Sequence, residues 1–217
     1  MYIVIAGLSD IGRNLAELLV KEGNQVTVVD RDPGRCAALA EGSDIMCITG
    51  DAGQKSTLDE ARVRSAQAFV AAAGDDSENL MLCMMVKELG VKTVISVVDE
   101  AEHTETFRQA GINLQVNPAI VAARHIYRLI SQPYVKGYLS FEGAEIFEIE
   151  IGEGMGCVGK SVAALGVPSG VRVLVVQKGK YADESKEIQP KDWLVLIATR
   201  ESVKKGTDFM NRWFGRG

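Results

Sequence analysis

Residues 2–12 read YIVIAGLSDIG and carry the strongest indication of the fold. An apolar strand runs into a glycine turn, and a helical pattern continues from Arg13 to Lys21. In dinucleotide-binding folds such a turn lets a phosphate approach backbone N–H groups at the N-terminus of the helix. Asp30 ends the next apolar run, where an acidic side chain can hold a ribose hydroxyl. The pattern therefore predicts a nucleotide site at the ends of these two strands.

The glycine turn departs from the usual motif at two positions. Ser9 replaces the middle glycine; its hydroxyl can donate to a phosphate oxygen, although its Cβ narrows the approach. Asp10 brings a carboxylate that would repel an anion, but a carboxylate is also a good helix N-cap. Alternatively, Gly7 and Gly12 serve only a tight turn and close packing of helix on strand.

Composition narrows the function classes. The chain has 217 residues, enough for one large or two small domains, and its net charge of −5 argues against a nucleic-acid partner. The four cysteines lack C-x-x-C spacing, so we expect buried reduced thiols and no zinc site. The sequence has no run of about 18 apolar residues and enters a strand at once. We therefore expect a cytoplasmic protein without direct membrane insertion.

Apolar runs alternate with helical patterns through the first part of the chain. This alternation predicts an α/β fold with a Rossmann-like, doubly wound parallel sheet over residues 1–131. The predicted strands are 2–6, 25–29, 45–49, 68–73, 93–98 and 113–116, and the helices lie near 11–22, 33–41, 56–61, 77–89, 103–110 and 118–130. Residues 132–138 are expected to form a linker, and 139–217 a smaller α+β domain.

Three polar segments follow the third, fourth and fifth strands. Asp51 is equally compatible with an adenine or ribose contact and with capping of the next helix. In the segment GDDSEN at 74–79, helix capping through Ser77 or Asp76 is favoured over metal binding. For His103, beside several carboxylates, a surface ion pair is favoured over a general base, because we find no nucleophile or oriented partner. We predict no catalytic residue and no metal site.

The order of motifs resembles one family along nearly the whole chain. The N-terminal half resembles the RCK or KTN domain of Trk/Ktr potassium-transport regulators. The motifs that carry this resemblance are the glycine turn, VDR at 29–31, TGDA at 49–52 and DDSENL at 75–80. VDEAEH at 98–103 and FRQAGI at 107–112 continue the resemblance. GKSV at 159–162 and QPKDWLVL at 189–196 are similar to the C-terminal domain of the same regulators.

The resemblance implies a cytosolic gating subunit, without enzymatic activity, on the inner face of the membrane. It would form homodimers that assemble into a ring on a separate membrane potassium channel or transporter. The helix around 118–130 would be the dimer crossover element. A nucleotide such as NAD(H), ATP, ADP or AMP would change the shape of the ring. The implied nucleotide-binding residues are Gly7, Leu8, Ser9, Asp10, Ile11 and Gly12 at the phosphates, Asp30 and Arg31 at the ribose, Asp51 and Ala52 at the adenine, and Ala73 beside the ligand.

The chain departs from the family pattern at the site, and two other functions are compatible with parts of the sequence. Many nucleotide-binding relatives have arginine where this chain has Asp10 and Val97; of the ligand positions of calcium-gated relatives, only Asp99 is acidic here. An NAD(P)-dependent oxidoreductase would need a second domain that supplies an acid–base residue, and the predicted second domain, 139–217, contains no histidine. A scaffold that has lost its nucleotide is the other alternative.

Overall fold

The computed structural model describes residues 1–177 and 179–215, which belong to two compact units. The first unit is Met1–Val121 and the second is Ala122–Gly217. Among the described residues, every helix is too short or too polar to cross a bilayer.

A six-stranded parallel sheet forms the centre of the first unit and confirms the predicted Rossmann-like fold. The strands are β1 (Tyr2–Ala6), β2 (Gln25–Asp30), β3 (Met46–Thr49), β4 (Ala68–Ala71), β5 (Thr93–Val97) and β6 (Leu114–Val116). Their spatial order is β3-β2-β1-β4-β5-β6. The order therefore reverses between β1 and β4, and in such sheets ligands bind in the crevice beyond the carboxyl ends of the strands at this point.

Helices connect the strands, and the alternation of side chains along each strand gives both faces of the sheet an apolar cover. The helices are α1 (Asp10–Lys21), α2 (Pro33–Gly42), α3 (Lys55–Glu60), α4 (Asp76–Glu88) and α5 (Thr104–Gln109). Helix α6 (Pro118–Ser131) follows β6 and includes residues of both units. One core cluster contains Val4, Phe69 and Leu82. The other contains Ile5 and side chains of α1 and α2. Because neighbouring strand residues face opposite ways, Val4 and Ile5 enter different clusters.

The cysteines differ in part from the expectation of reduced thiols. Cys36 of α2 and Cys47 of β3 form a disulfide, so the prediction is wrong for this pair. Their Cα atoms are 5.4 Å apart because α2 packs beside β3, a proximity that the spacing along the chain did not indicate. Cys83 and Cys157 are buried free thiols.

The second unit is built on an antiparallel sheet, which confirms the smaller α+β domain. Its strands are β7 (Val135–Ser140), β8 (Ala144–Glu150), β9 (Val171–Gln177), β10 (Lys180–Ala182) and β11 (Trp193–Thr199), and α7 (Val203–Phe214) follows. The spatial order is β10-β9-β11-β8-β7. Strand β7 begins inside the segment expected to be a linker; a register shift between Val135 and Gly137 lets this glycine-containing segment pair with β8. The domain boundaries themselves stay a prediction.

Candidate functional site

The predicted site residues gather around two adjoining cavities at the carboxyl ends of the central strands. The first has a volume of about 250 Å³ and is lined by Gly7, Asp30, Arg31, Ala52 and Ala73, among others. The second has a volume of about 480 Å³, and its lining includes Leu8, Ser9, Asp10 and Ala73. Arg35 and Ala73 line both cavities. Ile11, Gly12 and Asp51 line neither of the two.

Both glycines of the turn are required by backbone contacts. Gly7 has a φ of +100°, and a Cβ there would lie 2.3 Å from the carbonyl oxygen of Ala72. A Cβ on Gly12 would lie 2.1 Å from the carbonyl oxygen of Gly7. Larger side chains at either position would therefore collide with main chain. The turn packs α1 closely on the end of β1, as the structural reading of the motif predicts.

Ser9, rather than Asp10, caps helix α1. The Ser9 Oγ accepts a hydrogen bond from the Gly12 N–H at 3.3 Å, so the alternative that Asp10 is the N-cap is wrong. Asp10 is instead the first residue of the helix, and its side chain is 96% exposed. A carboxylate in this position stabilises the helix through the dipole, and Asp10 also contacts Arg13 at 3.8 Å.

Asp30 joins the end of β2 to the glycine turn. Its Oδ2 accepts a hydrogen bond from the Leu8 N–H at 2.5 Å, and its Oδ1 accepts one from the Asp32 N–H at 2.8 Å. Each carboxylate oxygen can accept a further hydrogen bond, because it carries two lone pairs. The residue predicted to hold a ribose hydroxyl therefore also fixes the shape of the turn.

Arg31 forms an ion-pair network at the rim of the first cavity. Its guanidinium lies 2.9 Å from Asp51 Oδ1 and 3.0 Å from Glu78 Oε1. Asp51 also accepts a hydrogen bond from the Gly53 N–H at 2.8 Å, and this bond and the Arg31 contact lower the pKa of Asp51. The N-cap of the next helix is Gln54, so the capping alternative for Asp51 is wrong. Glu78 was not predicted as a site residue.

Asn79 is a second residue that sequence reasoning missed. It is completely buried, and its Oδ1 accepts a hydrogen bond from the Ala73 N–H at 2.8 Å. Its Nδ2 donates to the carbonyl oxygen of Val97 at 3.1 Å, which ties α4 to the ends of β4 and β5. The only sequence signal was its place in the polar segment after β4. The cap of α4 is Asp75, which accepts from the Glu78 N–H, and not Ser77 or Asp76 as predicted.

Asp76 organises the loop after β5. Its carboxylate accepts hydrogen bonds from the N–H groups of Asp99 and Glu100 and lies 2.7 Å from His103 Nδ1. Burial would raise the pKa of Asp76, but these hydrogen bonds outweigh it and lower the pKa. The same contact raises the pKa of His103. The predicted ion pair of His103 is present, with Asp76 as its partner.

The second unit contains a larger cavity, of about 770 Å³, that holds none of the predicted site residues. Tyr134, Lys136, Lys191 and Phe214 are among the residues that line it. Its size alone does not indicate a ligand, and the predicted constellation lies entirely in the first unit. No group of three or more metal-ligating side chains occurs in the described part of the chain.

Comparison with known proteins identifies the family. Residues 3–118 match the TrkA-N domain, which is more than half of the chain. The chain belongs to the TrkA-N family. A Trk system potassium uptake protein TrkA homolog from Methanothermobacter thermautotrophicus is 36% identical over 153 residues, which are 70% of this chain and 71% of the relative. The homolog from Pyrococcus horikoshii is 30% identical over 217 residues and covers 94% of this chain and 93% of its own length.

The fold of this TrkA-N family member is also found in a solved channel structure. The GsuK channel bound to NAD aligns with a TM-score of 0.64 at 24% identity over 92% of this chain. The alignment covers only 37% of that protein, so the chain corresponds to a part of it. The family match and the shared fold confirm the resemblance to Trk/Ktr regulators that the sequence motifs indicated.

Proposed function

We propose that this chain is a regulatory subunit of a membrane potassium channel or transporter and that it senses an adenine nucleotide. The observation that carries the proposal is the double cavity at the sheet's switch point, in a chain whose relatives along nearly its full length are named TrkA. Regulation requires only that the nucleotide bind one conformation of the assembly more tightly than another. The protein would then act from the cytoplasmic face of the membrane, through its partner.

The ligand would be NAD(H), ATP, ADP or AMP. Asp30 would hold the ribose with the acceptor sites that its two backbone hydrogen bonds leave open. The exposed guanidinium of Arg31 and the small Ala52 would border the adenosine part. The turn from Gly7 to Gly12 would face the phosphates, as the N-terminus of a helix favours. The NAD bound by the GsuK channel supports this ligand class.

A non-enzymatic role is favoured by the surroundings of the site. Its carboxylates are engaged in structural pairings: Asp51 and Glu78 with Arg31, and Asp30 with backbone N–H groups. The stretch 139–217 contains no histidine that could serve as a general acid or base. Hydride transfer to any of a panel of small substrates would contradict this part of the proposal.

A homodimer, assembled further into a ring, is proposed on the apolar surface of α6. None of the residues of this helix is buried, and Val121, Ile126, Tyr127 and Ile130 are 59%, 56%, 64% and 76% exposed. Several large apolar side chains exposed on one helix are typical of a protein interface. Sedimentation analysis of the wild type and of Ile130→Glu tests the dimer: we expect the variant to dissociate, and an unchanged mass would contradict the assignment.

Calorimetric titration with ATP, ADP, AMP and NADH tests nucleotide sensing. We expect at least one of them to bind, and the same nucleotide to raise the midpoint of thermal unfolding. Asp30→Asn should weaken this binding, whereas Asp44→Asn, a change at an exposed carboxylate in the same unit, should not. No heat and no thermal shift with any of the four, at concentrations on the order of millimolar, would refute the proposal.

A further inference from the structure

We propose that Arg35 and Arg13 hold the phosphates of the ligand, and that the site selects nucleotides with two or more phosphates. This inference deepens the proposed function and rests on it. Arg35 belongs to α2 and Arg13 to α1, so the two cations come from different elements. The glycine turn itself contributes a carboxylate, Asp10, instead of a positive charge.

The first step is the continuity of the two cavities. The cavity beside Asp30 and the cavity beside the N-terminus of α1 share Arg35 and Ala73 in their linings. A ribose bound at Asp30 would occupy the smaller cavity. The phosphate chain attached to that ribose would then extend beside Arg35 into the larger cavity, which Arg13 also lines.

The second step is the difference between the arginines at the site. Arg31 is held by two carboxylates, at 2.9 and 3.0 Å. In contrast, Arg35 lies 3.7 Å from Asp32, and Arg13 lies 3.8 Å from Asp10, both beyond hydrogen-bond distance. The Asp32 carboxylate instead caps α2, through the N–H of Gly34 at 2.8 Å. Arg35 and Arg13 therefore keep more of their N–H donors available to a phosphate than Arg31 does.

The third step is the chemistry of these donors. The planar guanidinium group can give two parallel hydrogen bonds to one phosphate, and such bonds are stronger than those between neutral groups. The N–H groups in the first turn of α1 lack partners within the helix and add to the positive potential. The first phosphate would meet Arg35 where the cavities join, and a second would reach Arg13. The second phosphate therefore gains a cation that the first does not reach.

The test compares adenosine, AMP, ADP and ATP by calorimetry on four proteins at one ionic strength. These are the wild type, Arg35→Gln, Arg13→Gln and the control Arg64→Gln, an exposed arginine that lines neither cavity. We expect Arg35→Gln to lower the affinity for AMP, ADP and ATP about tenfold. Arg13→Gln should lower the affinity for ADP and ATP about tenfold and leave the affinity for AMP unchanged. Adenosine binding should not change in any variant, which also shows that the variants are folded.

A second series changes the charge at the turn. The affinity for ADP should rise in the order wild type, Asp10→Asn, Asp10→Arg, because the first change removes repulsion and the second adds attraction. The preference of the wild type for ADP over adenosine should shrink as salt is added.

The outcomes separate this inference from the proposed function. If the wild type binds a nucleotide but ADP and adenosine bind equally, the phosphate assignment is overturned and nucleotide sensing stands. The phosphate assignment is also overturned if the affinity of Arg35→Gln for ADP stays within about twofold of the wild-type affinity. If the wild type binds none of the compounds, both proposals fail.

Discussion

Replacing Asp30 by asparagine should destabilise the first unit even without a ligand. The carboxylate receives the Leu8 N–H on one oxygen and the Asp32 N–H on the other. The isosteric amide can accept from only one of them, and its NH2 group then faces the other donor. A hydrogen bond to a charged acceptor contributes about 1.5–3 kcal/mol. Because Leu8 is 6% exposed, water cannot easily replace the lost partner. We therefore expect a loss of about 2 kcal/mol in the free energy of unfolding.

Two measurements check this value. Urea denaturation followed by circular dichroism gives the change in the free energy of unfolding, with Asp44→Asn as the matched control. Amide hydrogen exchange by NMR should show faster exchange at Leu8 in Asp30→Asn, and little change in β5 beyond the global effect. A loss below about 0.5 kcal/mol, or unchanged protection of the Leu8 amide, would refute the role of Asp30 as the link between β2 and the turn.

Three further predictions concern stability. Reduction of the Cys36–Cys47 disulfide, which closes a loop with a sequence separation of 11, should lower the free energy of unfolding by about 3 kcal/mol in urea denaturation. A Cys36→Ser/Cys47→Ser double variant that still responds to reductant would contradict this. Gly12→Ala should destabilise by about 3 kcal/mol, because its Cβ meets a backbone carbonyl; an unchanged midpoint of thermal unfolding would show that the turn can open. The pKa of His103 is raised by Asp76, so the stabilisation that His103 gives over His103→Gln should be complete below about pH 6.5 and disappear as pH rises through the raised pKa. Melts at about pH 5.5 and about pH 9 that show the same difference would refute it.

The parallel sheet could be predicted because each of its strands and helices is indicated by a short, continuous stretch of sequence. Strands such as Val26-Thr27-Val28-Val29 are continuous β-branched runs, and the helical patterns between them leave only a crossover topology. The antiparallel unit was harder, since pairing there depends on distant partners. Strand β7 contains Gly137 and follows Pro133, two residue types that are typical of linkers. Only the pairing with β8, which lies later in the chain, makes this segment a strand.

The location of the candidate site could be predicted from the sequence, but the contacts between its side chains could not. Gly7, Gly12 and Asp30 are found by spacing, because they recur at fixed distances from a strand and a helix. The partners of Arg31 are 20 and 47 residues away along the chain, and local sequence gives no indication of them. The alternative that Asp10 caps α1 is wrong, and the sequence could not separate Asp10 from Ser9, since both are good N-caps and only the backbone angles distinguish them.

The relative interaction energies show how a turn that carries a carboxylate could still receive the phosphate of the proposed ligand. Asp10 is almost fully exposed, so its repulsion of a phosphate about 4 Å away is of the order of 1 kcal/mol in a medium like water. The end of α1 offsets part of this, with about 0.3–1 kcal/mol for an anion near its first turn. Two arginines at the same cavity would then leave the balance favourable to the proposed phosphate. On this proposal Asp10 would weaken the binding of a phosphate without preventing it, because its carboxylate is exposed to water.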